Sequence, residues 1–334
     1  MSIRRSSIVC IALGVVLIVA AIIVRFVVVP SVSKLPTSLD ITNVFTGTGT
    51  LLNAEAAKAG DMRNAVATDL PVEIIRHDYV TDSHGDTAIL HDDLTVNAPH
   101  VSLPSNHTYA VDRKTMAEST DSGAAQVEPH KGLIVGLPID PDPNGEYNLY
   151  DFATQSAYPM HKQDSATRAG RDVLDYAVSA QGPLKDKAVL DVLPPVLPKA
   201  QVAQMAAFLP PASGTAVTDA LAPLPDLVPI SYTADSDIRL AIDSELGTPL
   251  DGSLKIQVIA NIGSPGQTVP LMPMMALDTK LDKKSADTAA DTVSSTATKL
   301  SLVKIWIPLA LLILGLVALA WGIIRRKPST PARP

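Results

Sequence analysis

The sequence predicts an α+β protein, a strand-rich polar middle held between two apolar helices. Three observations carry that expectation. Apolar runs lie near both ends, each with basic residues on its outer side; the middle is a succession of short β-branched segments separated by turn residues; and a proline-rich insert occupies 192–229.

The first apolar run is uninterrupted over 8–24 and resumes after Arg25 as far as Val29; the second covers 305–324. Each is long enough for a hydrocarbon core of about 30 Å. Arg4 and Arg5 precede the first, and Arg325, Arg326 and Lys327 follow the second, which by the excess of cations on the inner side puts both termini in the cytoplasm. The expected order is a tip and span over 1–29, an extracytoplasmic domain over 30–276, a helical stalk or tether over 277–304, a second span over 305–324 and a basic tail over 325–334. That is a two-pass protein of the cell inner membrane. A cleaved signal peptide is the rival for the first run, because Ser31-Val32-Ser33 offers small residues at peptidase spacing. The run exceeds a usual signal core and is broken by Arg25, so retention is expected, with Arg25 reaching for the outer headgroups.

The single cysteine, Cys10, sits inside the first run. It lacks the small residue that precedes a lipoprotein cysteine, and the apolar run follows it, so it reads as a lipid-facing or palmitoylated thiol. The outer domain then has no disulfide and needs a core.

Residues 30–304 hold all 34 Asp and Glu but only 20 of the 27 Lys and Arg, a balance of about −14. Nucleic acid and anionic headgroups need clustered cations and are not expected as general partners. Nucleotides and nucleotide sugars are cytoplasmic, which removes them as substrates.

Strands are expected at 72–75, 88–96, 108–111, 133–137 and 173–178, and an Ala-rich helix over 51–66. Asn144-Gly145 is the clearest turn signal. In the insert, prolines exclude a long helix but allow short ones such as 199–208; it reads as a lid, a linker or part of an apolar groove. Strands return at 230–233, 238–242 and 253–260, the last alternating Leu254, Ile256 and Val258 with Lys255 and Gln257, so that one face is wet. Leu277, Leu281, Val293, Ala297, Leu300 and Val303 then recur at near-helical intervals, and no Pro or Gly lies between Met274 and Pro308. A helical stalk is expected there, although the composition of 285–298 equally suits a disordered tether.

The sharpest local pattern is Asp140-Pro-Asp142-Pro-Asn144-Gly145-Glu146 followed by Asp151. It sets oxygen-bearing side chains at positions 1, 3, 5 and 12 of a loop with glycine at 6, as calcium requires. Asp140, Asp142, Asn144, Glu146 and Asp151 are therefore candidate calcium ligands, and no other cofactor is expected. Asp151 in place of a bidentate Glu, and the stiffening Pro141 and Pro143, favour a solvated acidic turn. Asp140-x-Asp142 and Asp235-x-Asp237 imitate a glycosyltransferase metal pair but read as turn-capping aspartates. The seven histidines, at 77, 84, 91, 100, 107, 130 and 161, lack compact zinc spacing. Asp121-Ser122-Gly123 resembles a serine-protease nucleophile segment and reads as a loop. No H-E-x-x-H, G-x-S-x-G or glycine-rich phosphate loop occurs.

Several short motifs together resemble a family of two-span envelope proteins of mycolic-acid-bearing actinobacteria, labelled porin-PorA-like. They are Leu35-Pro36, the 40–51 segment with Gly47 and Gly49, Tyr109-Ala-Val-Asp112-Arg113-Lys-Thr115, and 132–138. Tyr147-x-x-Tyr150-Asp151, Tyr158-Pro159 and Ile242-Asp243-x-x-x-Gly247 complete the set, with the second span and its basic tail. The chain departs from the family where Tyr150 stands for a frequent Trp and where Asp243-Ser-Glu-Leu-Gly247 is looser. The resemblance implies a β-rich outer domain that handles an envelope amphiphile, in mycolate-glycolipid transport or lipoglycan maturation. The porin label fits a chain with two apolar helices poorly, since a membrane barrel crosses with many alternating strands.

The expectation is thus a non-enzymatic lipid- or glycolipid-binding module that shelters an acyl chain between a curved antiparallel sheet and helices. Met272, Met274 and Met275 are candidate lining residues or core. Its partners would be an envelope lipid and an inner-membrane transporter or glycan-assembly protein. A scaffold without ligand, recognisable by small-residue stripes such as Gly14, Gly315 and Gly322, and an envelope-glycan enzyme are the alternatives.

Overall fold

The computed structural model describes residues 5–52, 66–99, 101–264 and 266–325. It divides into two compact units, residues 1–36 with 292–334, and residues 37–291.

In the first unit two helices, Ser6–Val32 and the distal part of Lys283–Ile324, are long and apolar enough to cross a membrane. They run antiparallel: Ser7 Oγ donates to Gly322 O at 2.5 Å, and Gly14 lies against Gly315. A Cβ on Gly14 would strike the Gly315 carbonyl, and one on Gly315 the Gly14 carbonyl. Without a hydrophobic drive between helices in lipid, such close backbone approach is what holds them together. Each helix loosens into a π turn, Val24–Val28 and Leu302–Trp306. Pro308 has no N–H for the carbonyl four residues before it, Lys304 O, and Arg25 Nη1 donates to that oxygen at 3.4 Å. Arg25 therefore bridges the two helices. The flanking Arg4, Arg326 and Lys327 lie outside the described residues.

The second unit is built on an antiparallel nine-stranded sheet, ordered β4-β3-β2-β1-β13-β12-β11-β8-β7. Its strands are β1 (Asp40–Leu52), β2 (Val66–His84), β3 (Thr87–Ala98), β4 (Val101–Asp112), β7 (His161–Arg168), β8 (Arg171–Pro183), β11 (Ser231–Asp243), β12 (Pro249–Ser264) and β13 (Gln267–Leu281). A small hairpin of β5 (Asn148–Asp151) and β6 (Ser156–Pro159), and a two-stranded pair of β9 (Val196–Pro198) and β10 (Leu227–Pro229), form separate sheets. The sheet curls enough that Ile74, Asp92 and Tyr109 of β2 to β4 share one cavity with Ile238 and Leu254 of β11 and β12. Glycine permits the curl where β1 meets β13: a Cβ on Gly47 would fall on the Asp278 carbonyl. The two edges, β4 and β7, do not pair with each other.

The proline-rich insert is a packed layer. Val202 of the Lys199–Ala206 helix, Val217 of the Pro211–Leu221 helix and Val228 of β10 are fully buried in one cluster with Val258, Ala260 and Met275 of the sheet. Tyr232 Oη donates to Pro194 O at 2.7 Å, and Lys199 Nζ to Ala222 O and Leu224 O at 2.9 and 2.7 Å, closing the end of the second helix. Leu221→Ala is accordingly expected to destabilise the protein by about 2–5 kcal/mol, as in a core; a loss below about 0.5 kcal/mol in thermal unfolding would mark the insert as a surface linker.

Several expectations are corrected. Residues 133–137 are not a strand: only Leu133 forms a bridge, to Leu149, while Leu137 N–H bonds Gly247 O, so the segment is pinned by separate partners. Leu51, Leu52 and Val66 belong to β1 and β2, paired across the sheet, and the rest of the expected 51–66 helix lies outside the described residues. The stalk does not begin at 277: Leu277 and Thr279 are buried alternately with exposed Asp278 and Lys280, a period of two that keeps β13 going to Leu281. The helix starts at Lys283, where Asp282 Oδ1 accepts from Ser285 N–H at 2.6 Å. The strands expected at 230–233 and 238–242 are one, β11, so Asp235 and Asp237 cap no turn; they sit mid-strand, with Ser179 Oγ donating to Asp237 at 2.9 Å. Met274 and Met275 are core; Met272 is half-buried.

Candidate functional site

Strand register sets the chemistry of the concave face. Across β2, β3 and β4 the rows read Ile74, Val96, Leu103; then Arg76, Leu94, Ser105; then Asp78, Asp92, His107; then Val80, Leu90, Tyr109. Directly opposed residues share a face, so two apolar rows enclose a belt of ionisable groups. The same face is roofed by β5, where Tyr150 packs edge-on against Tyr109 with ring centroids 5.8 Å apart.

Arg76 is the hub of the belt. Its Nε and Nη2 each donate to Asp92 at 2.9 Å, and Nη2 also donates to Ile134 O at 3.0 Å, which ties the irregular 133–137 segment over the cavity. Burial works against the Arg76 charge, but Asp78 and Asp92 more than offset it and hold the guanidinium cationic. Asp78, 2% exposed, has Oδ1 3.4 Å from Arg76 Nε but forms no hydrogen bond through that oxygen. Burial pushes its carboxyl up to about 8, with the Arg76 cation opposing and Asp92 adding to the rise. Burial thus favours the protonated carboxyl. Burial likewise holds the Tyr109 phenol neutral.

Beside the belt three spaces adjoin. A cleft of about 480 Å³ is lined by Ser105, His107, Glu128, Tyr150, Asp186 and Lys187. Ser105 and Asp186 also line an apolar void of about 30 Å³ with Leu94, Val258 and Leu277. Phe152 and Leu254 border both that void and a larger one of about 90 Å³ under Tyr109 and Tyr150. A polar mouth thus meets an apolar interior at Ser105 and Asp186. His107 is 9% exposed; its Nδ1 lies 2.9 Å from Glu128 Oε2 and its Nε2 2.9 Å from Ser105 Oγ, which in turn donates to Asp186 Oδ2 at 3.1 Å. Asp186 Oδ1 meanwhile accepts from Ala188 N–H at 2.8 Å, capping the short Lys187–Leu190 helix.

The residues expected to bind calcium are not gathered. Asp140, Asp142, Asn144 and Glu146 are exposed, and Asp142 Oδ1 accepts from Asn144 N–H at 2.9 Å in a turn closed by Gly145 N–H on Asp142 O. Asp151 is buried in β5, where Oδ2 accepts from Thr154 N and Oγ1 at 2.8 and 2.6 Å, with burial raising its pKa. Among the described residues no group of three or more His, Cys, Asp or Glu is placed to hold a metal ion. The donor set does not fit calcium, because its only buried carboxylate closes its own turn.

The motif Ile242-Asp243-x-x-x-Gly247 is structural. Arg171 Nε and Nη2 donate to Asp243 at 2.8 and 3.0 Å, Leu246 N–H donates to Asp243 Oδ1 at 2.7 Å, and Gly247 at φ 69° turns its carbonyl to Leu137 N–H. Of the histidines, His77 and His91 stack on Tyr79 at 4.5 and 4.8 Å, while His130 is buried between Gly132 O and Ala110 O. His100 lies outside the described residues. Sequence reasoning missed Arg76, Asp78, Asp92, Ser105, Glu128 and Asp186; the readable signal was an inward strand face that changes from Val72 and Ile74 to Arg76 and Asp78.

A family model described as porin PorA matches residues 6–324. No curated protein matches the chain.

Proposed function

The chain belongs to the porin PorA family, and from that membership and the cleft geometry we propose that it carries an envelope lipid or glycolipid. The observation that carries this reading is the 480 Å³ polar cleft whose wall, at Ser105 and Asp186, also bounds an apolar void. Its volume lies within the range of about 300–1,000 Å³ usual for ligand sites. A hydroxylated headgroup would occupy the cleft and an acyl chain would enter between the sheet and the insert. The interior voids, about 30 and 90 Å³, must widen for this, with the insert layer moving away from the sheet. Anchoring by two helices would keep the domain concentrated at its lipid source. In this reading the termini are cytoplasmic, the domain faces outward from the inner membrane of a mycolic-acid-bearing actinobacterium, and cargo passes to an inner-membrane transporter or a glycan-assembly protein, in glycolipid transport or lipoglycan maturation. Carrying by itself requires no catalytic step.

Two observations favour this over its rivals. A pore would need a sheet closed on itself, whereas β4 and β7 remain edges and the membrane-length elements are helices. A scaffold would use its small-residue stripes on a partner, whereas Gly14 and Gly315 are occupied with each other. Leu254→Trp would fill the junction of the two voids. It is expected to weaken lipid uptake by the full-length protein at least about tenfold, near 1.4 kcal/mol, with the circular dichroism spectrum unchanged. Undiminished uptake by a folded variant would move the ligand elsewhere.

A further inference from the structure

At the cleft wall three side chains stand in the order used for nucleophilic acyl transfer. Ser105 Oγ lies 2.9 Å from His107 Nε2, and His107 Nδ1 lies 2.9 and 3.1 Å from the two oxygens of Glu128. Ser105 and His107 are alternate residues of one strand and share a face. Glu128 arrives from a separate segment, fastened along β4 by its own N–H on Thr108 O. We propose that Ser105, His107 and Glu128 form a serine acyl-transfer site for acyl esters of hydroxylated headgroups. The inference adds a reaction to the carrier reading and rests on it for the shape of the substrate.

A serine hydroxyl is a weak nucleophile until a base within hydrogen-bond reach takes its proton and a third group orients that base. Here Ser105 Oγ attacks the ester carbonyl while its proton passes to His107 Nε2. The carbonyl carbon to alkoxide bond then breaks, and the headgroup oxygen leaves with the proton from Nε2. Water, or the hydroxyl of a second headgroup, attacks the acyl-serine, gives its proton to Nε2, and releases Ser105 with its own proton restored. Glu128, bonded to Nδ1–H, is a positioning residue that stabilises the imidazolium.

Placement supports the assignment. Ser105 lines both the polar cleft and the apolar void, and in an amphiphile the ester lies at that same boundary. On β4 the carbonyls of Thr108 and Ala110 turn outward to accept from Glu128 N–H and Ser119 N–H. Alternation turns the backbone N–H of Asn106, a cleft residue, the same way. It supplies a donor for the developing oxyanion.

Asp186 modulates the site. The Ser105 hydroxyl has one proton and two acceptors, His107 Nε2 and Asp186 Oδ2 at 3.1 Å. An amide at position 186 still caps Ala188 N–H through its oxygen, while its NH₂ donates to Ser105 Oγ and leaves the hydroxyl proton to His107.

The test treats full-length protein in detergent with a small and a long-chain alkyl fluorophosphonate, locates the adduct by mass spectrometry, and follows hydrolysis of a p-nitrophenyl acyl ester. The expected result is an adduct on Ser105, lost in Ser105→Ala, slowed by about 10²–10⁴-fold in His107→Gln and accelerated in Asp186→Asn. Lipid uptake is measured on the same samples. Wild-type protein that takes up lipid but gives no Ser105 adduct and no ester turnover overturns the acyl-transfer site and leaves the carrier reading standing. Labelling at another serine overturns it equally. Ser105 labelling without lipid uptake overturns the carrier reading and, with it, the amphiphilic substrate.

Discussion

Arg76→Leu is expected to destabilise the protein by about 3–5 kcal/mol, because it leaves a buried carboxylate without its cation. Asp92 loses both of its 2.9 Å bonds and Asp78 the positive charge 3.4 Å away. The cost depends on pH, with a sign that follows from Asp78. Its folded pKa, about 8, lies above the unfolded value of 3.8, so the stability it contributes is fully present below the unfolded value and is lost as pH rises through about 8. Wild-type stability from this group thus falls between about pH 4 and 8, and Asp78→Asn removes that slope. In Arg76→Leu the deficit is therefore smallest at low pH, where the Asp78 carboxyl is neutral in both states, and largest above pH 8. Adding Asp92→Asn to Arg76→Leu should recover much of the loss. Far-UV circular dichroism on heating at pH 5 and pH 8 reads this directly. Tryptophan emission does not, since Trp306 and Trp321 belong to the unit with the two apolar helices.

Asp243→Ala is the second large loss, also about 3–5 kcal/mol. The carboxylate is 1% exposed, holds Arg171 in a two-point pair, and accepts from Glu245 and Leu246 N–H at 3.1 and 2.7 Å. Its turn also presents Gly247 O to Leu137 N–H, so the variant should loosen the 133–137 segment over the cavity. The exposed pairs Lys187 with Asp191 and Lys283 with Asp287, both at 2.6 Å, should cost no more than about 0.5 kcal/mol each when broken. Equal effects from Asp243 and these pairs would mean that burial does not govern the energetics here.

The membrane-length helices were legible because a long apolar run has few alternative fates. Leu254, Ile256 and Val258 announced β12 through alternation; Ile256 and Val258 are buried and Leu254 is half-buried. Segments with a mixed signal were misread. Leu277 to Leu281 satisfies both a helical and a strand period, and only pairing with β1 and β12 decides for the strand. Leu133 to Leu137 has strand composition but pairs only at Leu133, with Leu149, so its other backbone bonds go to Gly247 and Arg76. The site was the least legible part. Ser105 and His107 are two residues apart, yet Glu128 and Asp186 reach them only through the fold. The 140–151 loop looked like chemistry because spacing alone cannot show that Asp151 turns inward to Thr154.

The carrier reading is tested most directly by native mass spectrometry of the full-length protein, extracted gently from its own envelope, with the lipid extract analysed in parallel. The account predicts a stoichiometric lipid or glycolipid adduct that is reduced in Leu254→Trp. A clean apo mass, with no uptake of added envelope lipids by folded protein, would contradict it.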